Sequence, residues 1–205
     1  MHIAAGARSS PLSRAQFREI EALFPQFQWE PVWMKTTGDL DKTTSLRSLD
    51  RTDFFTKELD AMLLQGVIRV AIHSAKDLPE PMPEGLVVAF LTEGIDPRDS
   101  LVLRDSVPSV VATSSERREA LVHAVWPECR FVDLRGTIEE RLSLLEPGHP
   151  QGVDGVVVAE AALIRLGLTD LKRHVFPEAI SSLQGKLAIV ARERDVEIRR
   201  LLKAL

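Results

Sequence analysis

The chain of 205 residues holds a single cysteine, Cys129. One thiol excludes an intrachain disulfide and any cysteine-rich metal site. No apolar run approaches the ~18 residues of a membrane span. No secretion signal is expected either: in "MHIAAGARSSPLSRAQ", Arg8 and Arg14 fall where such a signal needs an uninterrupted apolar core. Nor is there net positive charge. With 26 Lys and Arg against 30 Asp and Glu the balance is −4, so nucleic acid is not an expected partner. Any affinity for anions must come from arginines gathered locally. No internal repeat or low-complexity tract occurs. These absences lead us to expect a cytoplasmic protein without membrane attachment.

What is present is ordinary globular material: 44% hydrophobic and 27% charged residues, enough for a real core. Apolar runs predict strands at 2–7, 27–34, 67–74, 86–91, 129–134, 155–160 and 187–192. Helical periodicity falls between them, at 11–23, 54–64, 115–124, 137–145, 160–167 and 194–204. Near-continuous apolar strands such as "GVVVA" read as buried in a parallel sheet with helices on both faces. The alternation of the two patterns defines an α/β protein. Two segments, "TEGIDPRDS" and "PEAISSLQGK", break the patterning with Gly and Pro. Read as hinges near 94–99 and 178–185, they divide the chain into lobe 1, residues 1–95 plus 183–205, and an inserted lobe 2, residues 98–180. A cleft between lobes is a usual place for a small-molecule site.

Three features could carry chemistry. The run "RVAIHSAKDLPEPMPEGL" is a strand that ends in Lys76 and Asp77 and a proline-braked loop. Ligands of open α/β sheets bind beyond strand C-termini, where a carboxylate can stabilise a developing cation. A solvated Lys-Asp turn is the plain alternative. In "VATSSERREALVHAV", Thr113 and Glu116 fit a capping box. The helix it opens offers free N–H groups to an anion. Arg117 and Arg118 fall in its first turn, where the macrodipole disfavours cations. Their presence suggests a bound anion, with ordinary surface arginines as the alternative. Arg8 lies in a strand-to-helix turn with Ser10 or Ser9 as N-cap; Arg135, Arg141 and Arg165 stand at further loop or helix positions. Guanidinium forks grip carboxylates bidentately, so several in one cleft would suit a polycarboxylate.

Taken together, "ARSSPLSRAQ", "MKTTGDLDK", "FFTKELDAML", "VAIHSAKDLPEPMPEGL", "DPRDSLVLR", "ATSSERRE", "DLRGTIEERL", "DGVVVAEAALIRLGL" and "LQGKLAIVAR" resemble the porphobilinogen deaminase (hydroxymethylbilane synthase) family. The motifs stand in the family's order from residue 3 to about 192. The resemblance implies a transferase of tetrapyrrole (haem) biosynthesis that joins four porphobilinogen units head to tail, releasing ammonia each time. It makes Asp77 the catalytic carboxylate, bonded to pyrrole N–H groups and stabilising the azafulvene cation left by ammonia loss. It makes Arg8, Arg117, Arg118, Arg135, Arg141 and Arg165 the binders of the acetate and propionate groups. It makes Ser10 and Lys76 further polar groups of that cleft. The expected fold is two lobes with mixed, mainly parallel sheets resembling a periplasmic-binding-protein-like arrangement, without the family's third domain. The expected partners are porphobilinogen and oligopyrrole intermediates, the protein acting as a monomer and holding no metal.

The chain departs from the family pattern in two places. The segment "SLRSLDRTDFFTKEL" has no glycine, and no lysine before Lys57, where the family carries a glycine-rich, lysine-containing stretch. The family's dipyrromethane cofactor is expected. Its attachment cysteine, however, belongs to the third domain, and these residues, which end at Leu205, offer no counterpart. Cys129 leads into an apolar strand and does not match it, so covalent attachment is not expected. A second reading is therefore a non-catalytic binder of pyrroles or polycarboxylates.

Overall fold

The computed structural model describes residues 1–41, 44, 53–178 and 183–203. The expected features at residues 45–52 and 179–182, part of the departing segment and of the second hinge, lie outside them. In chain order the elements are β1 (His2–Arg8), α1 (Pro11–Leu23), β2 (Gln28–Met34), α2 (Thr37–Leu40), α3 (Lys57–Gln65), β3 (Val70–Ser74), β4 (Leu86–Leu91), β5 (Asp99–Leu103), β6 (Val110–Ala112), α4 (Glu116–Val125), β7 (Arg130–Val132), α5 (Ile138–Leu142), β8 (Gly155–Ala159), α6 (Glu160–Leu166), β9 (Arg173–Val175), β10 (Leu187–Arg192) and α7 (Val196–Leu201). Single 3-10 turns occur at Asp53–Phe55, Ala75–Asp77 and Ser143–Leu145. No helix among the described residues is long and apolar enough to cross a membrane.

The strands form two five-stranded sheets, ordered β2-β1-β3-β10-β4 and β7-β6-β8-β5-β9. The chain accordingly divides into two units. The described residues of one are 1–41, 53–94 and 186–203; those of the other are 95–178 and 183–185, with Thr44. In each sheet one strand opposes the rest. β10 pairs antiparallel with both β3 and β4, and β5 pairs antiparallel with both β8 and β9. The remaining pairings, β1 with β2 and β3 and β6 with β7 and β8, are parallel. The opposing strand is in each case the one entered soon after the chain passes from the other unit.

In the first unit the alternation along the strands sorts side chains onto two faces. Ile3, Ala5 and Ala7 of β1 share a cluster with Val70 and Ile72 of β3, Leu187 and Ile189 of β10, and Phe17, Ile20, Ile198 and Leu202. Thus α1 and α7 cover one face. Ala71 and Val190 face the other way and meet Leu59 and Leu63 of α3. Phe17, Ile20 and Phe24 are at most 2% exposed, and a fully buried side chain of this size contributes roughly 1.5–3 kcal/mol. Ser10 caps α1 by accepting a hydrogen bond from the Ser13 N–H at 3.2 Å, with Pro11 at the first helical position. A Cβ on Gly6 would come within 2.5 Å of the end of the Ile68 side chain and 2.8 Å of that of Leu59, so a larger residue there must displace both. Pro31 sits in β2, an edge strand, where its missing N–H is tolerated.

In the second unit Leu101, Val111, Val157, Cys129 and Phe176 pack with Val122 of α4. The seven predicted strands all form, while β5, β6 and β9 were not predicted. β6 and β9 are three residues each, too short to display a period. Helix starts shift where turns intervene: α3 begins at Lys57, after the turn Asp53–Phe55.

Candidate functional site

In the first unit the candidate residues collect at the C-terminal ends of the parallel strands β1 and β3. Arg8 closes β1, and Ser10 opens α1 immediately beyond it. β3 ends at Ser74, whose hydroxyl accepts a hydrogen bond from the Gln16 side-chain amide of α1 at 2.8 Å. The next three residues wind into the 3-10 turn that presents Lys76 and Asp77. The Ala75 N–H is anchored on the Lys186 carbonyl at 3.0 Å, which fixes the turn to the residue just before β10. Asp77 is half-buried. Among the described residues its carboxylate takes no hydrogen bond and no ion pair, so it is available to a ligand N–H or cation.

Arg8 is already engaged. Its Nε lies 3.1 and 3.2 Å from the two carboxylate oxygens of Asp39, and Nη2 bonds Asp39 Oδ1. Its guanidinium also lies 4.5 Å from the centre of the Phe55 ring, a cation–π contact. Burial pushes the Asp39 carboxyl up, but Arg8 and the bonds from Thr36 outweigh it and hold it below the usual carboxylate range. His73, just before Ser74, is buried, and its Nε2 has no partner among the described residues. Burial, aided by the charge of Arg8, lowers the imidazole to about 4, so it is neutral near pH 7.

In the second unit Arg117 and Arg118 follow β6, Arg135 and Arg141 follow β7, and Arg165 lies in the last turn of the helix that follows β8. The capping box expected from Thr113 and Glu116 does not form. The Thr113 N–H is still in the sheet, bonded to the Val132 carbonyl at 2.9 Å, and the helix N-cap is Ser115, with no side-chain cap bond. Arg117 and Arg118 do fall in the first turn of α4. The Ser114 hydroxyl accepts from the Leu134 N–H at 2.6 Å and donates to its carbonyl at 2.8 Å. This staples the start of α4 to the loop bearing Arg135. Arg141 Nε donates to the Gly136 carbonyl in that same loop at 2.8 Å. A capping box between Thr137 and Glu140 opens α5.

Arg118 Nε and Nη2 donate to Asp99 Oδ1 at 3.1 and 2.6 Å. Asp99 heads β5 and is fully buried. Arg117 is exposed by surface area, yet desolvation lowers its guanidinium from the usual range; Asp99 offsets part of this and Arg118 adds to it. Arg165, at the end of α6, donates from Nη2 to the Gly185 carbonyl at 2.8 Å. Gly185 has φ of +82°, and a Cβ there would run into the Ile95 carbonyl, so glycine is required. Cys129 is buried, its thiol against the Pro108 carbonyl at 3.1 Å, and burial, with Asp154 nearby, raises its pKa. No cluster of three or more metal-ligating side chains occurs among the described residues.

Sequence reasoning missed Asp39, Asp99 and Gln184. Each stands in one of the motifs "MKTTGDLDK", "DPRDSLVLR" and "LQGKLAIVAR", but nothing in the local pattern gives it a role.

Two mixed α/β sheets of this kind define a periplasmic-binding-protein-like fold. Over 98% of its length the chain superposes on the ligand-binding core of GluR0 from Nostoc punctiforme in complex with (L)-glutamate, at a TM-score of 0.52 and 12% identity, covering 90% of that chain. YhfZ from Shigella flexneri gives 0.51 at 16% identity, with 99% and 88% of the two chains covered. These likenesses establish the fold. Residues 3–200 match the family "Porphobilinogen deaminase, dipyromethane cofactor binding domain". Porphobilinogen deaminase of Synechococcus elongatus is 37% identical, over 98% of this chain and 67% of that protein. The probable porphobilinogen deaminase of Chlamydia muridarum is 40% identical, over 90% and 79%. The chain belongs to the porphobilinogen deaminase family.

Proposed function

We propose that the protein condenses porphobilinogen units to hydroxymethylbilane, releasing ammonia at each joining. The observation that carries this reading is the Asp77 carboxylate, held at the end of β3 by an anchored turn and without a partner among the described residues. Loss of ammonia from an aminomethylpyrrole leaves a cation conjugated with the ring nitrogen. A fixed carboxylate at that place offsets the charge as it develops and accepts the pyrrole N–H. The half-buried setting reduces screening by solvent and strengthens both interactions.

The guanidiniums supply the second requirement. Porphobilinogen carries an acetate and a propionate, and the arginines at the ends of β6 and β7 offer planar donor forks to them. The same donor set fits a dipyrromethane, which carries the same acid groups; Arg117, Arg118, Arg135 and Arg141 would hold it. When bound, that group supplies the primer to which the first unit is joined. The Cys129 thiol, buried and raised in pKa, is a poor candidate for linking it. Membership in the family favours the enzyme over a non-catalytic pyrrole binder.

The test is to incubate the purified chain with porphobilinogen and follow ammonia release alongside porphobilinogen consumption. Equal amounts of each, with a tetrapyrrole product, support the proposal. Tight binding of porphobilinogen without ammonia release would overturn it in favour of the binder.

A further inference from the structure

The second unit holds a carboxylate whose role the proposed reaction does not use. Asp99 is completely buried, yet three donors converge on one of its oxygens. Arg118 Nε and Nη2 reach Oδ1 at 3.1 and 2.6 Å, and Gln184 Nε2 reaches it at 3.0 Å. Gln184, itself 1% exposed, is fixed in turn, since the same amide nitrogen lies 2.8 Å from the Pro97 carbonyl and 3.1 Å from that of Arg98. The chain Gln184–Asp99–Arg118 therefore leaves the guanidinium little freedom.

A guanidinium has five N–H donors. Asp99 takes the Nε–H and one Nη2–H, the side edge of the plane. Arg118 makes no other hydrogen bond among the described residues. Of the three that remain, one on Nη1 and the second on Nη2 form the end-on pair, the geometry that receives a carboxylate bidentately. We propose that Asp99 is a positioning residue that commits the side edge of Arg118 to the protein and thereby dedicates its end-on fork to a ligand carboxylate. The inference rests on the assignment of Arg118 as a carboxylate binder. It adds a sign: what Asp99 supplies is an acceptor oxygen in a fixed place, while its negative charge works against an incoming anion.

The experiment is calorimetric titration of the 205-residue chain with porphobilinogen, with folding of each variant checked by circular dichroism. Asp99→Ala should weaken binding about ten-fold, because the fork is released. Asp99→Asn should bind at least as tightly as the native protein, since the converging donors turn its amide oxygen toward them while the charge is gone. Arg118→Lys keeps the cation beside Asp99 but has no fork, and should itself weaken binding. In that background Asp99→Ala should have no further effect. An equal loss in both backgrounds, or a ten-fold loss in folded Asp99→Asn, would overturn the positioning role alone. Native affinity in Arg118→Lys would overturn the carboxylate assignment of Arg118, and this inference with it. If Asp99→Ala does not fold, Asp99→Asn decides: tighter binding supports the inference and weaker binding overturns it.

Discussion

Arg8 and Asp39 form a side-on ion pair, the arginine Nε 3.1 and 3.2 Å from the two carboxylate oxygens, under the ring of Phe55. A residue that the family resemblance assigns to ligand carboxylates is thus occupied by a protein carboxylate. Both partners are largely buried, with side-chain exposures of 25% and 16%, so the pair is screened less than a surface one. Asp39→Ala should lower stability by about 1–2 kcal/mol near neutral pH. Because the folded carboxyl titrates below its ordinary value, the pair's contribution is present above that value and is lost as pH falls through the folded one. Denaturant melts of the two proteins should differ at pH 7 and converge in strong acid. A difference that persists at the acid end would contradict the pairing.

Arg117 and Arg118 are neighbours in one helical turn with opposite consequences for stability. Arg117→Leu removes an exposed cation from the positive end of a helix dipole, so the melting temperature should hold or rise. Arg118→Leu strands a fully buried Asp99 without its counter-charge, which should cost roughly 3–5 kcal/mol. Both should weaken porphobilinogen binding. Equal melting temperatures for the two variants would contradict the role given to Asp99.

His73 sets a different pH window. Its folded value is about 4 against an ordinary 6.5, so the neutral imidazole is the folded form. The stability linked to it is complete above the ordinary value and declines as pH drops from there toward the folded one. In His73→Gln the decline between those two pH values should be shallower by about one proton's linkage. An identical slope in variant and native protein would show that His73 is solvated and titrates normally.

Much of the architecture was legible because long apolar runs carry their own period. "LVVAFL" and "LAIVAR" become β4 and β10 with unchanged bounds, and "PLSRAQFREIEAL" becomes α1. β5 was hidden because its first residues are Asp99 and Ser100, polar groups whose burial depends on Arg118, Gln184 and Glu160 from elsewhere in the chain. The capping box at Thr113 failed for a related reason. A local pattern offered a cap, but the β7 carbonyl of Val132 captured the N–H first. The site divides the same way. Asp77 and the arginines have an evident chemistry within their motifs, whereas Asp39, Asp99 and Gln184 stand in motifs too but act through partners far along the chain, which no local spacing reveals.

In the proposed reaction Asp77 supplies the negative charge against which ammonia leaves. The most direct measurement compares native protein and Asp77→Asn for ammonia release from porphobilinogen, with binding of porphobilinogen measured in parallel. An amide fills the same space but carries no charge, so binding and melting temperature should stay near native while turnover is abolished. Near-native ammonia release by a correctly folded Asp77→Asn would contradict that role.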